Sequence, residues 1–266
     1  MQFFRDKTIL ITGGSSGIGR AAALRLAGYG ANVVVAARNK KALDDVVLEA
    51  NGPEGKIVAV PTDVMEAEQC RQAVEETVAH FGRLDILVCS AGLSLRAYFA
   101  GSDLEALERV MCVNFFGTLY MTHYGLPHIK RTKGSLVALS SLTGIRGIPS
   151  YAIYGASKFA VQGLYESLRL ELKRDGVHVG VMAPGFVDTP LRSHVLNRDG
   201  RPWDEPPPPP FRIWPVEKCV DRLIRLIVRR RAQSNLPAFI GPLLLLDRLV
   251  GSWIGNFVLR RRFPPV

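Results

Sequence analysis

The chain has 266 residues, 47% hydrophobic and 22% charged, a composition ordinary for one large globular domain. A chain of this size buries a core without disulfide or metal staples; Cys70, Cys89, Cys112 and Cys219 and the five histidines lack metal-ligand spacing, which implies no metal and a reducing, cytoplasmic setting. The net charge of +10 is uneven: from Phe211 onward 11 Lys/Arg stand against 3 Asp/Glu, no aromatics interleave with the basic runs, and a nucleic-acid partner is not expected.

The N-terminus enters a strand at once, without the basic and then apolar run of a signal peptide. Lys7–Thr12 is short, apolar and β-branched, the pattern of a buried strand. Gly13-Gly14-Ser15-Ser16-Gly17-Ile18-Gly19 follows, then a helical stretch over Arg20–Tyr29. Strand, glycine-rich turn and helix form the setting in which Gly13, Ser15, Ser16, Gly17, Ile18 and Gly19 can cradle a pyrophosphate. The glycines admit the phosphates close to the backbone, and the helix N-terminus offers free N–H groups. A plain βα turn is the alternative reading of the same residues.

The unit repeats. Asn32–Ala36, Lys56–Val60 and Leu84–Cys89 read as strands, with helices over Lys40–Asn51 and Glu66–Phe81. Continuous rather than alternating apolar strands imply a parallel sheet covered on both faces. The expected fold class is therefore α/β, a doubly wound Rossmann-type sheet with its cofactor crevice at the carboxyl ends of the strands. After strand 2 the chain reads Ala36-Ala37-Arg38-Asn39, with no carboxylate to hold a ribose diol. Arg38 can pair with a 2′-phosphate, which favours NADP(H) over NAD(H), or it is a solvated surface residue. Asp63, before Val64, either accepts from an adenine amino group or caps the next helix. Ser90-Ala91-Gly92 is a tight passage past the cofactor.

In the second half, a long helical stretch from Asp103 to Lys130 contains Asn114, a polar amide that satisfies the core or holds a kink or a water. Leu136–Leu139 is a strand ending in Ser140-Ser141. The next helix carries Tyr154 and Lys158, which at i and i+4 share one face. An ammonium beside a phenol lowers the phenol pKa and makes a general acid/base, although the same spacing occurs on many surface helices. Val177–Met182 is a sixth strand, followed by Pro184-Gly185-Phe186-Val187-Asp188-Thr189.

Taken in order, Thr12-Gly13-x-x-x-Gly17-x-Gly19, Asp63, Asn114, Ser141 with Tyr154-x-x-x-Lys158, and Pro184-Gly185 with Thr189 resemble a short-chain dehydrogenase/reductase over residues 5–190. The resemblance implies an oxidoreductase interconverting a ketone or aldehyde and an alcohol, working as a homo-oligomer. It makes Tyr154 the proton donor or acceptor, with Ser141 donating to the substrate oxygen. Lys158 lowers the Tyr154 pKa and holds the nicotinamide ribose. Asn114 holds a water, and Pro184, Gly185, Val187 and Thr189 position the nicotinamide. Tyr151 is excluded because position 155 is Gly, and the family spacing favours Ser141 over Ser140. Cys89-Ser90-Ala91-Gly92 departs from the Asn-Asn-Ala-Gly usual in the family, which implies altered bracing. A non-catalytic NADP(H)-binding protein is the competing class.

Beyond Thr189 the resemblance weakens. Residues 1–235 form the expected domain, with a lid over residues 186–215, and residues 236–266 an atypical tail. The run Pro206–Pro210 is a stiff polyproline segment: lid edge, partner ligand or, most simply, surface spacer. Phe186, Phe211, Ile213 and Trp214 are candidates to line an apolar substrate cleft. Where the family closes with a strand, this chain has the apolar runs Leu236–Leu246 and Leu249–Leu259, each too short to span a membrane. Leu243, Leu246, Val250, Trp253, Ile254 and Phe257 make one stripe at helical spacing beside Arg260-Arg261-Arg262. That stripe is either an interfacial helix on an anionic membrane or a helix packed on protein.

Overall fold

All five residues of β1 (Thr8–Thr12) are buried, as expected of a central strand covered on both faces. A computed structural model describes residues 1–50, 56–249 and 253–262. After β1 come α1 (Gly17–Ala27), β2 (Asn32–Ala37), α2 (Lys40–Glu49), β3 (Ile57–Pro61), α3 (Ala67–Phe81) and β4 (Ile86–Cys89). The second half adds α4 (Leu104–Met111), α5 (Gly117–Thr132), β5 (Ser135–Leu139), α6 (Ala152–Glu171) and β6 (His178–Pro184). It ends in α7 (Pro190–Ser193), α8 (Val216–Val228), β7 (Gln233–Leu236), α9 (Ile240–Leu249) and α10 (Trp253–Arg262).

The strands form one parallel sheet in the order β3-β2-β1-β4-β5-β6-β7. Alternate side chains face opposite layers. Ile9 and Ile11 join a core with residues of α1, α2 and α8, whereas Leu10 joins one with α3, α5 and α6. Strand order reverses between β1 and β4, so a crevice opens at their carboxyl ends. Asp85, buried just before β4, fixes this seam by accepting from Thr8 N at 3.0 Å and from Arg83 Nη2 at 2.6 Å.

Three elements differ from the expectation. The long helix around Asn114 is interrupted by a π turn over Cys112–Phe116, the kink allowed for by a polar amide at that point. A seventh strand, β7, does close the sheet; its sequence, Gln233-Ser234-Asn235-Leu236, is too short and polar for the apolar signature of a strand. The tail stripe lies on two helices rather than one. The residues between them, Val250-Gly251-Ser252, lie outside the described residues. Asn51, expected at the end of α2, is also outside the described residues, as is the side chain of Ile254.

Candidate active site

The glycine-rich turn is shaped for close approach. Gly17 has φ +54°, and a Cβ on Gly19 would lie 2.3 Å from the Gly13 carbonyl oxygen. Gly13, Ser16, Gly17 and Ile18 line a cavity of about 810 Å³, into which the N-terminus of α1 opens. Ser15 faces a separate groove between α1 and α8. Thr12 Oγ1 accepts from both Ser90 N and Ala91 N at 3.1 Å, so a β1 hydroxyl braces the passage that contains the small residues. Arg38 is exposed on the cavity wall and makes no hydrogen bond or ion pair among the described residues. These features make a cradle suited to a dinucleotide.

Asp63, Val64 and Ala91 are not among the residues that line this cavity. Asp63 Oδ1 accepts from Met65 N at 3.0 Å, a local turn bond. Val64 packs beneath Gly117, and Ala91 beneath Gly13. Gly92, Pro184, Gly185, Val187 and Thr189 do line the cavity.

The polar centre is assembled from three elements. Ser141 follows β5 and caps a 3-10 turn, its Oγ accepting from Thr143 N at 3.2 Å. Ser140 Oγ instead donates to Lys158 O at 3.1 Å, so its hydroxyl is committed to the helix. Tyr154 and Lys158 stand one turn apart on α6, both on the cavity wall. Asn114, fully buried, donates from Nδ2 to Ser157 Oγ and to Leu93 O, both at 2.9 Å, and accepts from Leu93 N at 2.8 Å. Its side chain ties the π turn to α6 and to the passage after β4, and Gly92 sits between Asn114 Oδ1 and Lys158 Nζ.

Burial dominates the electrostatics and reverses one expectation. Desolvation pushes the Tyr154 phenol up to about 12, against a smaller downward pull from a hydrogen bond with Ser141. Lys158 is pushed down to about 8, again chiefly by desolvation. The ammonium does not lower the phenol here: Lys158 Nζ donates to Leu139 O at 2.9 Å and lies 5.8 Å from the Tyr154 ring centre. A phenol in this state keeps its proton at neutral pH and can donate it.

Beyond this centre the walls are mostly apolar. The proline run is not a spacer. Arg96 Nη1 donates to Pro207 O at 2.8 Å and Pro208 O at 2.9 Å, holding Pro206, Pro207 and Pro209 in the wall. The same guanidinium lies 5.7 Å from the ring centre of Tyr151, which packs edge-on against Tyr154 and Phe186. Phe186, Phe211 and Trp214 line the cavity as expected. The tail helices complete its outer side through Leu243, Leu246, Asp247, Val258 and Leu259. Sequence reasoning missed Arg96, Arg146 and Asp247, none of which sits in a motif. Among the described residues no three His, Cys, Asp or Glu side chains cluster at metal-ligating spacing, and no helix is long and apolar enough to cross a membrane.

Residues 7–199 match the family model described as short chain dehydrogenase. The chain is 32% identical over 247 residues to the 11-beta-hydroxysteroid dehydrogenase-like 3 protein of Arabidopsis thaliana, covering 91% of this chain and 77% of that one. It is 35% identical over 188 residues to 11-beta-hydroxysteroid dehydrogenase-like 2 of the same plant, where the match covers 70% of this chain but only 60% of the relative. Among solved structures, a short chain dehydrogenase/reductase from Burkholderia phymatum in complex with NAD superposes with a TM-score of 0.83 at 24% identity, covering 93% of this chain and 95% of that one, a likeness of fold.

Proposed function

The chain belongs to the short-chain dehydrogenase family, and on that premise we propose that it is an NADP(H)-dependent oxidoreductase interconverting a ketone or aldehyde and an alcohol on an apolar substrate. The observation that carries this reading is the Ser141–Tyr154–Lys158 group at the polar end of an otherwise apolar cavity continuous with the glycine-rich turn. The nicotinamide, when bound, supplies or accepts the hydride. Tyr154 gives its proton to the substrate oxygen in reduction and takes one in oxidation. Ser141 Oγ donates to the same oxygen and orients it. Lys158 and the segment Pro184, Gly185, Val187 and Thr189 hold the nicotinamide end, with Gly13, Ser16, Gly17 and Ile18 at the pyrophosphate. Arg38, without a hydrogen bond or ion pair among the described residues and placed at the end of β2, supports a 2′-phosphate and hence NADP(H) over the NAD held by the Burkholderia structure.

The test is a panel of apolar ketones and alcohols, steroid ketones included, assayed with NADPH and NADP⁺. Turnover that falls by roughly 10²- to 10⁴-fold in Tyr154→Phe, with NADPH affinity kept, is the expected result. Tight NADPH binding with no turnover of any carbonyl would give way to the non-catalytic, cofactor-binding reading.

The reading extends to a surface. Phe239, Leu243 and Leu246 on the cavity wall are exposed, as are Leu249, Trp253 and Phe257 on the same tail helices, and Arg261 lies over Phe257. This is an apolar rim with basic flanks, suited to the interface of an anionic membrane from which an apolar substrate arrives. A second copy of the chain is the competing occupant and would make the homo-oligomer. Co-sedimentation with phosphatidylserine vesicles, compared with size-exclusion mass of the full chain and of a chain lacking residues 242–266, separates the two.

A further inference from the structure

The cavity wall beside the proton-transfer centre carries a cation that no carboxylate answers. Arg96, between β4 and α4, is half-buried and lines the cavity. Its Nη1 donates to two neutral acceptors, Pro207 O at 2.8 Å and Pro208 O at 2.9 Å, and among the described residues it makes no ion pair. Asp247 is the only carboxylate among the described residues lining the cavity, and Arg146 Nη2 stands 3.6 Å from it. Arg192, on α7, lines the same cavity; its ion-pair partner, Asp188 at 3.8 Å, has a side chain 79% exposed and is screened by water. Distances tie Arg96 to the reacting end. Its guanidinium lies 5.7 Å from the ring centre of Tyr151, and that ring lies 6.2 Å from the ring of Tyr154. Burial raises the Tyr151 phenol pKa while Arg96 and Arg192 both pull it down, so both cations are felt at one hydroxyl. Holding two proline carbonyls needs N–H donors but no charge; a neutral amide would hold them without the desolvation cost of a half-buried cation. The dinucleotide phosphates do not account for the charge either. Their cradle is the glycine-rich turn with Arg38, whereas Arg96 stands in the wall made by Tyr151 and the proline run.

We propose that Arg96 recognises an anionic oxygen group on the substrate, a carboxylate or a phosphate, with Arg192 adding to the field. A guanidinium offers paired N–H donors that fit either anion, and a neutral end would leave its charge unanswered. The substrate class is thus an amphiphile: a carbonyl or carbinol at Ser141 and Tyr154, an anion at Arg96, and an apolar body between them against Tyr151 and Phe186. This inference deepens the oxidoreductase reading and rests on it for the carbonyl end; the anion contact rests on Arg96 alone.

The probes are 9-oxodecanoate, its methyl ester and 9-oxodecyl phosphate, bound to the full NADPH-loaded chain by calorimetry and assayed for NADPH oxidation. The anions are expected to bind roughly 10- to 100-fold more tightly than the ester, the worth of a hydrogen bond to a charged group. Much of that advantage should vanish as NaCl rises from about 0.05 to about 0.5 M. A preference shown by one anion alone names the group and supports the contact. Arg96→Gln keeps N–H donors for the proline carbonyls and removes the charge, so the anion-to-ester ratio should fall to near one while ester affinity changes little. Arg96→Lys should restore part of the ratio. Equal affinities for all three in the unmutated protein overturn the proposal without needing any variant, as does an unchanged ratio in Arg96→Gln. Failure of all three to bind overturns it as well. Anion-selective binding without NADPH oxidation leaves the Arg96 contact standing and sinks the oxidoreductase reading. Oxidation at equal kcat/KM for all three does the reverse.

Discussion

Lys158 Nζ donates to the carbonyl oxygen of Leu139 at 2.9 Å, across the gap between α6 and the end of β5. The bond commits the ammonium to the sheet, and burial is the chief cause of both pKa shifts. In the cofactor-free protein one lysine should therefore titrate near 8 rather than near 10.5. Burial disfavours the charged ammonium, so the proton leaves early as pH rises. NMR of ¹³C-methylated lysines detects that resonance, and Lys158→Met should remove it; a full set of lysines titrating above 10 would contradict the burial argument.

Arg38→Asp should weaken NADPH binding by roughly 10- to 100-fold and raise the relative affinity for NADH. It removes one charge-assisted contact to the 2′-phosphate and offers a carboxylate to the ribose diol. Quenching of protein fluorescence by each dinucleotide measures both constants. Equal affinities for the two cofactors in the unmutated chain would leave Arg38 without that role.

Arg96→Ala should free the carbonyls of Pro207 and Pro208 and loosen the proline run in the cavity wall. The expected result is a rise in KM for an apolar ketone of about tenfold, the worth of one to two lost hydrogen bonds, with kcat changed less. Trypsin should cut after Arg198 and Arg212 faster than in the parent. Arg96→Lys, which keeps one donor, should recover part of the loss; a fall in kcat alone would place Arg96 in the chemistry instead.

His178 makes stability depend on pH. It is buried in β6, with Nδ1 3.1 Å from Ser135 Oγ and Nε2 2.8 Å from Arg231 O, and burial lowers its pKa below 6.5. Below that value the unfolded chain binds a proton that the folded chain refuses, so stability falls as pH falls through 6.5 and below. Above pH 7 this contribution is flat. Urea midpoints at pH 7.5, 6.5 and 5.5 should decline in that order, and less steeply in His178→Gln.

Much of this was legible in the chain. Apolar runs of five or six residues marked β1 and β2, because a strand covered on both faces has no polar side to show. The resemblance singled out Ser141, Tyr154 and Lys158, which one helix and one strand end carry to the wall of one cavity. What the chain hid depends on partners far apart in sequence. Arg96 meets carbonyls 111 and 112 residues away, and Arg146 meets Asn256 across 110. The direction of the Tyr154 pKa was hidden for the same reason. The helical spacing placed a cation near a phenol, but desolvation by the assembled walls has no signature along the chain. The strand β7 was missed because hydrogen bonding to β6, not side-chain character, makes it a strand.

β7 joins two parts of the cavity that have different tasks. Leu236 O accepts from Gly185 N at 2.8 Å, anchoring the turn that follows β6, and the chain then passes into α9 within four residues. The backbone of a single edge strand thus ends the segment proposed to hold the nicotinamide and begins the outer wall of the cavity. A different segment joined after Leu236 would therefore change the outer wall without altering Ser141, Tyr154 or Lys158.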